Sequence, residues 1–342
     1  MTTAASRTMR AWLTAGTGIE NLVEQDVPLP APGPTGVLVE VRAVSLNYRD
    51  LLVVDGVEAW RPARPVVPVS DAAGVVVETG AAVRRFAAGD RVLPTFLPRW
   101  RSGPLTAEAY RDPVGGPVNR GFLSQFAVVD EEELVRAPAS LDDPQAATLP
   151  IAGVTAWHAL QRTAVGPEDR VLIHGTGGVA LFALQLAHAR GARVIVTSSD
   201  DEKLRRARVL GAAEAVNYRT DDVAPAVHEL TGGHGVDVVI ETVGGANLNL
   251  SLEAAAIGAR IAFIGLIGGL SAPVDTYRFV QKHVTIHGIE TGSREHLEQL
   301  VHAVDQFDLK PVIDSRFPVE GIHDALRHLR SGAHFGNIVA IR

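Results

Sequence analysis

The chain of 342 residues contains no cysteine. That excludes disulfides, thiol nucleophiles, iron–sulfur clusters and every zinc site built on sulfur. No run of apolar residues reaches the roughly 18 that a membrane-spanning helix needs, and no signal-peptide pattern opens the sequence. Positive charge is not in surplus. Lys and Arg number 32 against 39 Asp and Glu, a formal net charge of −7, so nothing basic invites nucleic acid. Internal repeats are lacking as well. What is present is globular: 46% of residues are hydrophobic and 21% charged, too apolar for a disordered chain. The length fits one large or two medium domains. A soluble, cytoplasmic protein is expected, with residues 1–8 small, polar and frayed.

Two grammars divide the chain. Residues 10–14 and 36–45 alternate apolar with polar, 71–79 and 90–94 follow as short strands, and Pro and Gly cluster between them, predicting a barrel-like β domain. Residues 94–121 carry five prolines and read as a long excursion loop. After about residue 140, apolar bursts at 171–174, 193–197, 236–240, 260–265 and 284–289 alternate with predicted helices at 179–190, 200–210, 222–230 and 246–256. Strand–helix alternation with fully apolar strands means a parallel sheet covered on both faces. The tail predicts helices at 294–307 and 322–331 and strands at 312–317 and 337–341. The fold class is therefore α/β.

Gly175, Thr176, Gly177, Gly178, Val179 and Ala180 form a G-x-G-x-x-A sequence between an apolar strand and a helix, the context a dinucleotide site requires. Gly175 permits the tight turn, Gly177 lets backbone approach a pyrophosphate, and Ala180 allows close helix–strand packing. An acidic residue ending the second strand would select NAD. The strand ends instead in Thr197, Ser198 and Ser199, without the acid at Ser198; two hydroxyls, of Ser198 and Ser199, can donate to a 2′-phosphate, with Lys203 one helical turn beyond. Asp200 and Asp201 oppose this unless they serve the first turn of the next helix. NADP(H) is the expected cofactor.

The order of Ser45-Leu46-Asn47-Tyr48-Arg49-Asp50, Ala73-Gly74-Val75-Val76, Gly89-Asp90-Arg91-Val92, Ala152-Gly153-Val154-Thr155-Ala156-Trp157 and the loop at Gly175 resembles the medium-chain dehydrogenase/reductase superfamily over nearly the whole chain. The resemblance implies a GroES-like β-barrel catalytic domain at 1–140 and 292–342 and a Rossmann doubly wound parallel sheet domain at 141–291. The superfamily's zinc-dependent alcohol dehydrogenases carry Cys, His and Cys or Asp as ligands. The matching positions here hold Asn47, Ser70 and Ile151. No metal is expected. His283 and His287, four apart on an expected strand, lie about 13 Å apart, too far to share an ion.

What remains resembles the zinc-free branch, in particular quinone oxidoreductases and NADPH-dependent double-bond reductases. That likeness implies that Lys203 and Tyr218 hold the 2′-phosphate and that Asn47 matches an Asn near the nicotinamide. It further implies that Thr155, Thr242, Val243, the backbone of Gly265, Leu266 and Ile267, and Gly292 with Ser293 belong to the cofactor site. The family's frequent Lys after the last loop glycine is Asn337 here, and no role is carried to it. Enoyl-thioester reductases of this group place a catalytic Tyr where this chain has Glu58, which argues against thioester reduction. A homodimer through the sheet edge near 284–289 is also implied.

Without a metal an ordinary ketone is hard to polarise, whereas a conjugated acceptor spreads the negative charge. Hydride transfer to a quinone or an α,β-unsaturated carbonyl is thus the expected reaction, with Asn47 donating to the developing enolate and Tyr48 or solvent supplying the proton. The competing reading makes Asn47 a turn cap and Tyr48 a packed aromatic. Alternatives at the level of function are a zinc-free NADP-dependent alcohol or carbonyl dehydrogenase and a non-catalytic NADPH-binding protein. The 94–121 loop, with Phe96, Trp100, Arg101 and Tyr110, reads either as lining or lidding the substrate cleft or as a packed surface lobe or dimer contact.

Overall fold

Valines at alternate positions along residues 36–46 fix the first sheet, because a period of two buries one side of a strand. In the computed structural model these residues form a strand of 11. The structure describes residues 7–342. Of the start expected to be frayed, residues 1–6 lie outside the described residues, while Thr8 already opens a strand. The chain separates into two compact units, Met1–Val154 with Thr291–Arg342, and Thr155–Glu290.

In chain order the first unit runs β1 (Thr8–Leu13), β2 (Val23–Pro28), β3 (Gly36–Leu46), α1 (Tyr48–Asp55), β4 (Asp71–Thr79), β5 (Arg91–Pro94), β6 (Phe126–Asp130), β7 (Leu134–Arg136) and α2 (Asp143–Ala146). A π-helical turn at Leu149–Gly153 leads into α3 (Val154–Arg162). The second unit continues with β8 (Arg170–His174), α4 (Gly178–Ala189), β9 (Arg193–Ser198), α5 (Asp201–Val209), β10 (Glu214–Asn217), α6 (Val223–Leu230), β11 (Val236–Glu241), α7 (Asn247–Ala254), β12 (Ala255–Phe263), α8 (Thr276–Gln281) and β13 (Thr285–Gly288). The first unit is completed by α9 (Arg294–Gln306), β14 (Ile313–Pro318), α10 (Ile322–Ser331) and β15 (Asn337–Ile341).

The first unit holds a seven-stranded sheet in the order β14-β15-β3-β4-β5-β7, with β6 also on β3, beside the β1–β2 pair. The last strand, β15, lies antiparallel to β3, so the tail of the sequence completes the sheet begun by residues 36–46. Val37, Val39, Val41, Val44 and Leu46 of β3 join Leu51 and Val54 of α1 and Ile322 and Leu326 of α10 in the core. Each such side chain is worth roughly 1.5–3 kcal/mol on burial. Register places Ser45 opposite Asp71, so the end of β3 and the start of β4 meet where α1 begins.

The second unit is a six-stranded, wholly parallel sheet ordered β10-β9-β8-β11-β12-β13. Counted from β8, that is the doubly wound order 3-2-1-4-5-6, and the direction of winding reverses between β8 and β11. Leu172, Ile173, Val194, Val196, Val238, Val239 and Ile240 are all buried, as a sheet covered on both faces demands.

Several boundaries differ from expectation. Residues 141–154, placed with the Rossmann domain on sequence, cluster with the first unit, because Ile151 packs into a core of Phe96, Leu97, Trp100 and Ala109. In the 94–121 segment Phe96, Leu97, Trp100 and Val114 are buried and anchor it to the first unit, while residues 101–108 and Tyr110 are exposed. The helix expected at 246–256 stops at Ala254, and β12 begins at once, earlier than the apolar burst at 260 suggested. The strand expected at 284–289 is only Thr285–Gly288, which leaves His283 outside it. Among the described residues no helix is long and apolar enough to cross a membrane, and no group of three His, Cys, Asp or Glu side chains could hold a metal ion.

Candidate functional site

The phosphate turn sits between β8 and α4, beside the reversal of the sheet. Gly175 has φ +82°, open to glycine and strained for other residues, and its N–H donates to the Thr197 carbonyl at 3.0 Å. Gly177 is the N-cap of α4 and brings no side-chain cap, so the first amides of the helix are not claimed by a capping residue. A 12-residue apolar helix with such an opening, and with no Cβ at 175, 177 and 178, fits the pyrophosphate of a dinucleotide. Thr176 and Ala180 are buried and Val179 is half-buried in its first turn.

At the end of β9, Ser198 is buried and its carbonyl accepts from the Tyr218 N–H at 3.0 Å. Tyr218 itself is 54% exposed. Both neighbouring acids are engaged elsewhere. Asp200 caps α5 by accepting from the Lys203 N–H at 2.9 Å, and Asp201 accepts from Asn217 Nδ2 at 2.7 Å. Ser199 is half-buried and Lys203 lies in the first turn of α5.

Of the other residues expected at the cofactor site, Thr242 and Val243 fall in one turn and Gly265, Leu266 and Ile267 in a second, while Thr155, Gly292 and Ser293 lie elsewhere. Thr242 Oγ1 donates a short hydrogen bond to the His174 carbonyl. The Gly268 N–H donates to the Val243 carbonyl at 2.8 Å, and a Cβ on Gly265 would meet the Thr242 and Val243 backbone at 2.3 Å. Leu266 follows Gly265, and Ile267 is 64% exposed. Thr155 is buried, with Oγ1 donating to the Glu290 carbonyl at 3.3 Å. Gly292 and Ser293 fall in the first unit, where Ser293 Oγ caps α9 by accepting from the His296 N–H at 3.2 Å.

The residues expected to be catalytic lie where α1 begins. Asn47 is the N-cap of α1, and its N–H donates to Asp50 Oδ2 at 2.8 Å, so the capping reading holds for its backbone. Its side chain does something further: Nδ2 donates to Asp71 Oδ2 at 2.9 Å. One amide hydrogen is thereby fixed on Asp71, leaving the second for another acceptor. Tyr48, the first residue of α1, is 38% exposed.

Beneath Asn47 lies a polar cluster that sequence reasoning did not find. Asp50, Ser70 and Asp71 are wholly buried. Ser70 Oγ lies 3.1 Å from Asp50 Oδ1 and 2.9 Å from the Val114 carbonyl. It also accepts from Arg49 Nη1 in a short contact. The guanidinium stands 3.7 Å from Asp50, donates to the carbonyls of Val114 and Gly116 at 3.1 Å each, and stacks on Phe96. Desolvation pushes the Asp71 carboxyl well above its usual range, against the opposing hydrogen bond from Asn47 and reinforced by the charge of Asp50. Burial raises Asp50 as well, moderated by the Arg49 charge. Of the three positions that would ligate zinc, Asn47 and Ser70 are thus hydrogen-bonded to their neighbours, and Ile151 offers no donor atom.

Comparison with known proteins agrees with this architecture. Residues 33–139 match the family described as "Alcohol dehydrogenase GroES-like domain", and residues 178–306 match "Zinc-binding dehydrogenase". A zinc-type alcohol dehydrogenase-like protein of Schizosaccharomyces pombe is 36% identical, covering 94% of this chain and 95% of its own. A quinone oxidoreductase of Rattus norvegicus is 30% identical over 87% of this chain and 86% of its own. A 2-haloacrylate reductase of a Burkholderia species is 31% identical over 95% and 96%. Among solved structures, a protein of Sinorhizobium meliloti 1021 provisionally named an alcohol dehydrogenase superposes with a TM-score of 0.92 and 43% identity, covering 99% of this chain and 100% of its own. The chain belongs to the medium-chain dehydrogenase/reductase superfamily of nicotinamide-dependent oxidoreductases and resembles its quinone oxidoreductases.

Proposed function

We propose that the protein is a zinc-independent, NADPH-dependent reductase that delivers hydride to a quinone or to the β-carbon of an α,β-unsaturated carbonyl. The observation that carries this reading is the Asn47 cluster. At the three positions that hold a Lewis acid in the zinc enzymes stand an amide, a hydroxyl and an isoleucine, and a fixed guanidinium lies in the same polar network. Such a site has hydrogen bonds to offer and no metal-strength polarisation, which suits an acceptor whose conjugation spreads the incoming charge.

NADPH, when bound, supplies the hydride. Its pyrophosphate fits the Gly175–Val179 turn, and the 2′-phosphate fits the hydroxyls of Ser198 and Ser199 with Lys203 and Tyr218. The engagement of Asp200 as the cap of α5 and of Asp201 with Asn217 supports NADP over NAD, since each carboxylate already has a partner within the protein. Asn47 Nδ2, held through one hydrogen by Asp71, donates the other to the developing enolate oxygen. Tyr48 or solvent returns the proton. The names of the quinone oxidoreductase and 2-haloacrylate reductase relatives support an electron-poor, conjugated acceptor.

The test is Asn47→Ala assayed with NADPH against a panel of quinones and enones. Loss of one oxyanion donor costs about 10²–10³ in turnover, so a fall of about a hundredfold is expected with KM for NADPH unchanged. Turnover within about twofold of wild type removes Asn47 from the reaction. A second reading, a zinc-free alcohol or carbonyl dehydrogenase, draws on Tyr48, 38% exposed, as an acid–base group and on relatives whose names include alcohol dehydrogenase. Oxidation of simple alcohols with NADP⁺, without enone reduction, would favour it.

A further inference from the structure

At the end of β11, Glu241 is wholly buried, yet every hydrogen bond it accepts comes from a turn or helix beside the expected cofactor site. Oε1 accepts from the N–H groups of Val243 and Gly244, both at 2.9 Å. Oε2 accepts from Asn247 Nδ2 at 2.8 Å and, in a short contact, from Ser251 Oγ. Its backbone carbonyl accepts from the N–H groups of Ile264 and Gly265, both at 2.9 Å. One residue therefore shapes both the 242–245 turn and the 264–268 turn. The two turns pack backbone against backbone, where a Cβ on Gly244 or Gly265 would have no room.

The same carboxylate reaches the phosphate turn. His174 Nε2 is 3.1 Å from Ser251 Oγ and 3.8 Å from Glu241 Oε2, and Nδ1 is 3.3 Å from Thr197 Oγ1. One proton arrangement satisfies all of these contacts. Ser251 donates to Glu241, the neutral imidazole donates from Nε2 to Ser251, and Thr197 donates to Nδ1. Burial lowers the His174 pKa and keeps that imidazole neutral, against the pull of the Glu241 charge. Thr197 Oγ1 in turn lies 3.4 Å from the Gly175 N–H. The ends of β8, β9 and β11 are thus joined through one side-chain network.

We propose that Glu241 is the positioning residue of the dinucleotide site, setting the two nicotinamide-side turns and, through Ser251, His174 and Thr197, the phosphate turn. This rests on the reading that those turns hold a nicotinamide dinucleotide. The experiment measures NADPH and NADH binding by fluorescence titration, and steady-state kinetics on an accepted quinone, for wild type, Glu241→Gln and Ser251→Ala. In Glu241→Gln the new amide nitrogen faces the Asn247 donor, so the 242–247 turn shifts. KM and Kd for NADPH are expected to rise tenfold or more, with kcat at saturating NADPH within threefold of wild type and KM for the quinone unchanged. Ser251→Ala removes the hydroxyl that links Glu241 to His174, leaves the Glu241 bonds to Val243, Gly244 and Asn247 in place, and should raise Kd for NADPH about three- to fivefold, which keeps the inference testable if the Gln variant does not fold. A purely structural role would lower the melting temperature and the active fraction and leave KM for NADPH alone; that pattern, or unchanged affinity in both variants, overturns the inference. Failure of the wild type to bind either dinucleotide overturns instead the reading on which it rests.

Discussion

A carboxylate fully removed from water persists only if it is neutralised or protonated, because an unpaired buried charge costs several kcal/mol. Beneath Asn47 two such groups, Asp50 and Asp71, share one nearby guanidinium, that of Arg49. Asp50 takes the ion pair, and Asp71 is the one driven well above the ordinary carboxylate range. The sign of the pH dependence follows. Native Asp71 holds its proton more tightly than the unfolded chain does, so its contribution to stability is complete below the ordinary Asp value, about 3.9. That contribution is lost as pH rises through the raised native value. Asp71→Asn keeps an acceptor for Asn47 Nδ2 and removes the ionisation. Melting temperatures of wild type and D71N from pH 4.5 to 8 should therefore diverge, with the variant gaining relative to wild type as pH rises. A difference independent of pH would mean that Asp71 is ionised throughout, with its charge satisfied in the fold.

The elements show which signals are local and which depend on the tertiary structure. Strands β8, β9 and β11 were legible because strands buried on both faces leave continuous apolar runs, and the phosphate turn because Gly175 and Gly177 are required by backbone geometry. Helix α1 was not legible. Its sequence, Tyr48 to Asp55, contains Val53 and Val54, both weak helix formers, and it is set by the Asn47 cap, the reciprocal bond from Asp50 and left-handed Gly56. The anchoring of the 94–121 segment was not legible either, since the burial of Phe96 and Trp100 depends on Ile151, which is distant in sequence. The Glu241 network escaped for the same reason: four of its members come from separate elements. Ser293 shows how a site assignment and a capping role can coincide. Its hydroxyl is spent on His296 at the start of α9, so Ser293→Ala should cost about 1 kcal/mol of stability. Cofactor affinity should stay within twofold, because a backbone contact does not need the hydroxyl. Chemical denaturation beside an NADPH titration checks both, and a large loss of affinity would make the side chain itself a ligand group.

At the scale of the whole molecule the net charge of −7 repels a dinucleotide that is itself an anion, and more so one with an additional phosphate. Any preference for NADPH must therefore come from local donors strong enough to reverse the general field, which the proposed function assigns to the Ser198 and Ser199 hydroxyls, Lys203 and Tyr218. Local recognition has a global readout, because a ligand that binds only the folded state stabilises it by RT ln(1 + [L]/Kd). At a concentration a hundredfold above Kd, NADPH should add about 2.7 kcal/mol. NADH at the same concentration, if bound tenfold more weakly, should add only about 1.4 kcal/mol, the difference being a factor of ten in affinity. Thermal melts with each dinucleotide at matched ionic strength should thus show the larger upward shift for NADPH, and added salt should narrow the gap, because charge pairing at the exposed 2′-phosphate end is screened. Equal shifts at every ionic strength would mean that the serines and Lys203 do not read the phosphate, and that Asp200 or Asp201 leaves its partner in α5 or β10 to take the ribose.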